Sequence, residues 1–158
     1  MLIDITTEFD AWLKIPGIET LIKTAARAAV NNCGQKFQTQ AELSILLTSD
    51  NAIQKLNSEY RNQDKPTNVL SFPGEQEAQA QDRSFLLGDV VLSYQTIGSE
   101  AKRQNKRLEN HISHLIVHGV LHLLGYDHED DETACDMERK EINILKGIGV
   151  ENPYALEH

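Results

Sequence analysis

The chain has 158 residues, enough for one domain with a proper apolar core, and its composition (40% hydrophobic, 25% charged) is that of a folded protein. Its net charge of −9, from 15 Lys+Arg against 24 Asp+Glu, excludes a general polyanion binder, because affinity for phosphates rests on basic contacts. There is neither a membrane-length apolar run nor a signal-peptide pattern, and two lone cysteines, Cys33 and Cys135, make no disulfide framework, so a cytoplasmic location is expected.

Leu2 to Thr6 alternates as a first strand. Pro16-Gly17 opens an amphipathic helix in which Ile18, Leu21, Ile22, Ala25, Ala26, Ala29 and Cys33 keep helical spacing, with Gly34 as the stop. Leu43, Ile45 and Leu47 alternate with Glu42 and Ser44, a strand with one buried face. Asp50 is expected to cap the following helix, whose apolar face is Ile53, Leu56 and Tyr60. A short strand, Val69 to Phe72, stops at Pro73-Gly74, and the polar stretch 75–84 reads as a loop. Leu86 to Ser93 is apolar enough to be a central strand. Helices are expected at about 94–106, 110–124 and 131–146, the last starting in the acidic run Glu129 to Glu132, which suits a helix N-terminus.

Strands separated by helices favour parallel pairing, while the 69–72 and 86–93 strands, joined without a helix, suit an antiparallel pair. The expectation is one α+β domain over residues 1–155, with a small mixed, mostly parallel four-stranded sheet and about five helices. Leu156-Glu157-His158 reads equally well as native sequence or as a tag remnant.

The stretch His118-Gly-Val-Leu-His122-Leu-Leu-Gly125-Tyr-Asp127-His128 carries the most direct chemistry. Histidines four apart share one helix face, and a turn at Gly125 can return His128 to it. Three imidazoles converging on one point describe a site for one Zn²⁺ with an open fourth position. His114 and His111 lie one and two turns earlier on the same stripe, as groups supporting the ligands from behind or as ordinary polar groups. The spacing also occurs in metzincin proteases, but those place a general-base glutamate directly after the first histidine, where this chain has Gly119. Peptide hydrolysis is therefore disfavoured. Asp127, His114 and a metal-bound hydroxide are equal candidates for a base, and Cys135 is a weak candidate fourth ligand.

The other informative segment is Tyr60-Arg61-Asn-Gln-Asp64-Lys-Pro-Thr-Asn68-Val-Leu-Ser71-Phe72-Pro73, where Arg61 could hold a phosphate beside a metal. Together with the histidine motif, Leu87-Gly-Asp89-Val and Asn152-Pro-Tyr154, it gives a chain that resembles the YbeY family of metal-dependent bacterial endoribonucleases over about residues 42–154. The resemblance implies Zn²⁺ held by His118, His122 and His128, with Arg61 and His118 as catalytic residues. It implies cleavage of single-stranded RNA, maturation of the 3′ end of small-subunit (16S) ribosomal RNA, and ribosome quality control. It also implies contact with the small ribosomal subunit at Asp89, with neither a membrane nor DNA as partner. Positive charge for RNA is available in Lys102, Arg103, Lys106 and Arg107, whose spacing would give one basic helix face. Two rival readings remain: a metal-dependent hydrolase of another substrate, and a non-catalytic ribosome-assembly factor with a structural metal.

Overall fold

A computed structural model describes residues 1–32, 41–74, 85–127 and 129–155. Four strands form one sheet: β1 (Leu2–Thr7), β2 (Ala41–Thr48), β3 (Val69–Pro73) and β4 (Phe85–Ser93), in the spatial order β1-β2-β4-β3. The β1–β2 and β2–β4 pairs are parallel and β3–β4 is antiparallel, as the connections implied. Five helices pack with it: α1 (Ile18–Asn31), α2 (Asp50–Arg61), α3 (Tyr94–Arg103), α4 (Leu108–Leu123) and α5 (Asp131–Gly147). The result is one α+β domain.

Alternation along β2 sends Leu43, Ile45 and Leu47 into the main core, where they meet Ile22, Ala26 and Ala29 of α1 and Ile116 and Val120 of α4. The opposite face of the sheet carries a smaller cluster, in which Ile53 of α2 covers Leu70 and Val91. From His111 to Leu121, α4 is buried at every position except His118, so it runs through the middle of the molecule rather than along its surface. That placement explains its composition: apolar almost all round, with Ser113 and the histidines as its few polar side chains.

Several local expectations need correction. A 3-10 turn at Asp10–Lys14 follows β1; it buries Trp12, whose indole Nε1 donates to Thr48 O at 2.9 Å. Asp50 does not cap α2, because Ser49 holds that position. Its carboxylate instead accepts from Ser93 and Thr96 hydroxyls at 2.5 and 2.6 Å, tying α2 to the start of α3. Tyr60 is 60% exposed and packs edge-on against Phe72 instead of entering the core. Helix α3 stops at Arg103, and Asn105 takes a left-handed conformation (φ 55°). Cys33, Gly34 and the stretch 75–84 lie outside the described residues, and Cys135 is exposed.

Candidate active site

The end of α4 is built by its own backbone. Gly125 adopts φ +99°, Gly125 N–H donates to His122 O at 3.1 Å, and Tyr126 N–H donates to Leu121 O at 3.0 Å. This pair of bonds is a Schellman closure, which needs a left-handed residue where glycine stands. The turn brings Tyr126 O to 3.1 Å from His122 Nδ1. Since a carbonyl only accepts, Nδ1 of His122 carries the proton and Nε2 keeps its lone pair.

One turn earlier, His118 is treated in the same way. Its Nδ1 lies 3.4 Å from Glu141 Oε2, a carboxylate on α5. Its Nε2 lies 3.1 Å from His122 Nε2. Two imidazoles thus aim their Nε2 atoms at each other while acceptors hold the opposite edges, the arrangement that fixes tautomer and ring orientation in metal sites. Two nitrogens bound to one tetrahedral ion at about 2.0–2.1 Å would sit roughly 3.3 Å apart. The donor pair fits a zinc-sized ion. His128, the third expected ligand, lies outside the described residues.

Glu141 was missed by reading the sequence. Its side chain is 1% exposed, and it accepts from His114 Nε2 at 2.5 Å and from the Tyr154 hydroxyl at 2.7 Å, as well as facing His118. Burial alone would raise its pKa, but the hydrogen bonds from His114 and His118 outweigh that and bring it down to about 2, so the carboxylate is charged. Burial, and then the neighbouring Glu141 charge, push the Tyr154 phenol above its ordinary range, so it stays a donor. The signal was present in the pattern: Met137, Glu141, Ile144 and Leu145 are the buried positions of α5, and a glutamate on an otherwise apolar stripe needs buried partners.

His114, His118 and Glu141 place one ligand atom each within 4.8 Å of one another and could hold a metal ion. The 2.5 Å contact between His114 and Glu141 leaves no room for an ion bonded to both, so that set requires the hydrogen bonds to be given up. His114 and His111 therefore act as supports: His111 Nε2 faces Glu100 Oε1 at 2.9 Å, and burial lowers its pKa and keeps it neutral.

Arg61 lines the same cleft as His118 and His122. This cleft, of about 630 Å³, is also lined by Ser71 and Asp127. Arg61 Nη2 donates to Ser71 O at 2.6 Å and its guanidinium lies 5.3 Å from the Phe72 ring centre, which orients the group. A guanidinium has five N–H donors, so several remain for an anion. Asp127, exposed in the cleft, is better placed as a base than His114, whose Nε2 is taken by Glu141 and Tyr154.

Asp89 is not in the cleft. Its neighbour Val90 approaches Gly119 of α4, so alternation points Asp89 to the opposite sheet face, where it is half-buried and burial raises its pKa. The basic residues do not form one helical face either. Lys106 lies beyond the end of α3 and donates to Pro153 O at 2.7 Å, and Arg107 pairs with Glu109.

Gly119 has a packing reason. A Cβ there would lie 2.8 Å from Val90 Cγ1 and 3.1 Å from Ser71 Oγ, which itself donates to Gly119 O at 2.9 Å. The position where metzincins carry their base points into the sheet. A Gly119→Ala protein should be less stable by on the order of 1 kcal/mol: overpacking costs about 1–3 kcal/mol, and alanine's helix propensity offsets up to about 1 kcal/mol. Denaturant midpoints of the two proteins measure it, and equal or higher stability of the variant would contradict this packing.

The family model described as Endoribonuclease YbeY matches residues 7–149. A protein named Endoribonuclease YbeY from Azorhizobium caulinodans is 46% identical over 156 residues, covering 99% of this chain and 98% of the relative. Another of that name from Bradyrhizobium diazoefficiens is 44% identical, covering 92% of this chain and 81% of the relative. The solution structure of TM1509 from Thermotoga maritima shares the fold, with a TM-score of 0.57 at 22% identity over 98% of this chain and 100% of that one. With the family model spanning most of its length, the chain belongs to the YbeY endoribonuclease family.

Proposed function

We propose that this protein is a single-strand-specific, zinc-dependent endoribonuclease that matures the 3′ end of 16S ribosomal RNA and serves ribosome quality control in the cytoplasm. The observation that carries the reading is the meeting of Arg61 with the paired Nε2 atoms of His118 and His122 in one cleft. His118 and His122 would hold one Zn²⁺, with His128 as the third ligand. Such an ion, when bound, acts as a Lewis acid toward a phosphoryl oxygen.

The chain's own groups supply the rest. Glu141 and Tyr126 O fix the two imidazoles before substrate arrives. Arg61, held by Ser71 O and Phe72, binds a non-bridging phosphate oxygen and meets the charge that grows in the transition state. Asp127 takes the proton from the attacking hydroxyl, whether of water or of the ribose 2′ position. A cleft of about 630 Å³ suits a nucleotide or two, so a strand must be splayed out to enter, which favours single-stranded RNA over a duplex. Among the described residues no helix is long and apolar enough to cross a membrane. Asp89, on the opposite sheet face, would meet the small ribosomal subunit while leaving the cleft open.

The test compares cleavage of single-stranded and duplex RNA by wild type and Arg61→Ala, with analysis of the product ends. The variant should be slower by about 10²–10³-fold, the loss typical of removing one transition-state donor. A 2′,3′-cyclic phosphate end indicates attack by the 2′-OH, and a 5′-phosphate indicates attack by water. Undiminished cleavage by Arg61→Ala, or equal cleavage of duplex, would overturn the corresponding part of the reading.

A further inference from the structure

A second cavity, of about 530 Å³, adjoins the cleft and shares Asn68, Val69 and His118 with it. Arg61 belongs only to the cleft, and Glu100, Gln104 and Tyr154 only to the second cavity. Its C-terminal wall is fixed: Lys106 Nζ holds Pro153 O, and the Tyr154 hydroxyl is held by Glu141. Its polar floor is equally fixed, for Glu100 Oε1 accepts from His111 Nε2 at 2.9 Å and Asn68 Nδ2 at 3.0 Å. Oε2 has one longer contact, 3.2 Å from the same Asn68 nitrogen. Each carboxylate oxygen has about two acceptor sites, so among the described residues Oε1 is filled and Oε2 has one left.

We propose that this cavity is a nucleobase subsite, taking the base adjacent to the phosphate held in the cleft, and that Glu100 Oε2 selects bases presenting an exocyclic amino group. The proposal rests on the RNA-directed reading of the neighbouring cleft. Tyr154, 38% exposed, gives an aromatic wall for a base to stack on. A negatively charged acceptor with one free site favours the amino group of cytosine, adenine or guanine and disfavours the O4 carbonyl of uracil. Neutral His111 and Asn68 are donors already committed to Glu100, so they offer nothing to a carbonyl in its place. Single-stranded RNA is read in this way, by unstacked bases presenting their hydrogen-bonding edges.

Cytidine and uridine 5′-monophosphates separate the proposal from simple pocket filling, because they differ chiefly in an amino against a carbonyl group at one ring position. Titrated into the full chain, the cytidine nucleotide should bind about tenfold more tightly, the worth of one charge-assisted hydrogen bond. Glu100→Gln keeps the Oε1 acceptor for His111 and Asn68 and places an amide N–H₂ where Oε2 stood. The preference should then fall away or invert toward uridine, which a merely structural role for Glu100 would not produce. In the wild-type protein the cytidine nucleotide should also shift the side-chain NMR signals of Asn68 and His111, a readout that survives if the variant does not fold. Equal binding of the two nucleotides by wild type, or an unchanged preference in a folded Glu100→Gln protein, overturns the subsite. Neither measurement requires cleavage, so failure of the nuclease reading shows separately, as RNA left intact.

Discussion

On the zinc-dependent reading, a His118→Ala protein should lose RNA cleavage by about 10³-fold or more and no longer bind one Zn²⁺ per chain, while keeping its helices. The expected size follows from what the ion contributes, several kcal/mol of transition-state charge stabilisation, at about 1.4 kcal/mol for each factor of ten. Retention of the fold follows from packing. His118 is 24% exposed and faces the cleft, whereas the neighbouring Val117, Val120 and Leu121 are fully buried and close the core without it. Glu141 also keeps His114 and Tyr154 as partners when His118 is gone. Metal content, circular dichroism and cleavage should be read on the same samples. Chelation of wild type should reproduce the variant: inactive, with helix content unchanged. If chelation unfolds the domain, the ion is structural and the assembly-factor reading is favoured. If His118→Ala cleaves at the wild-type rate and ignores chelators, the zinc-dependent reading fails.

How far the sequence carries to this point depends on whether the relevant partner is near or far along the chain. The strands and helices follow from periodicity, and the antiparallel β3–β4 pair from a connection too poor in helical pattern for a crossover. The closing turn of α4 was legible because Gly125 is a local signal for a local backbone state. Asp50 misled for the same reason. A residue in a good capping position was drawn into contact with Ser93 and Thr96, more than 40 residues away, by the parallel β2–β4 pairing. Lys102 to Arg107 looked like one helical face because nothing in their spacing marks the break; Asn105 at positive φ supplies it.

The site divides along the same line. His118 and His122 lie four apart and declare themselves by spacing, and the resemblance added Arg61. The groups that orient them come from elsewhere: Glu141 from α5, Tyr154 from the C-terminal segment, Glu100 from α3. Charged residues on helices are usually solvated, so only their register with buried neighbours marks them as different. The histidine stripe is therefore better understood as a graded row. His111 and His114 spend their Nε2 atoms on the carboxylates of Glu100 and Glu141, while His118 and His122 turn theirs toward each other and the cleft.

Glu141→Gln should expose that buried network as a pH dependence of stability, best measured on metal-free protein. The carboxyl titrates near 4.5 when unperturbed and at about 2 in the folded chain, its burial being outweighed by hydrogen bonds from His114 and His118. A depressed folded-state pKa contributes stability that is fully present above the unfolded value, so wild type should gain on the order of 3 kcal/mol from this group at neutral pH. That contribution should be lost as pH falls from about 4.5 to about 2. The side chain is 1% exposed, so solvent screening removes little of it. An amide of the same shape accepts only with its oxygen: standing in for Oε1 it keeps His114 and the Tyr154 hydroxyl, and its N–H₂ then meets the donor His118 Nδ1 in place of Oε2. The variant should accordingly be less stable at pH 7 by a comparable amount, and its stability should fall less steeply through the acid window, by about one proton in the slope. Denaturant unfolding from pH 7 to pH 2 measures both. If the two proteins lose stability in parallel across that window, Glu141 is not the charged hub of the histidine row, and the orientation of His118 must come from another source.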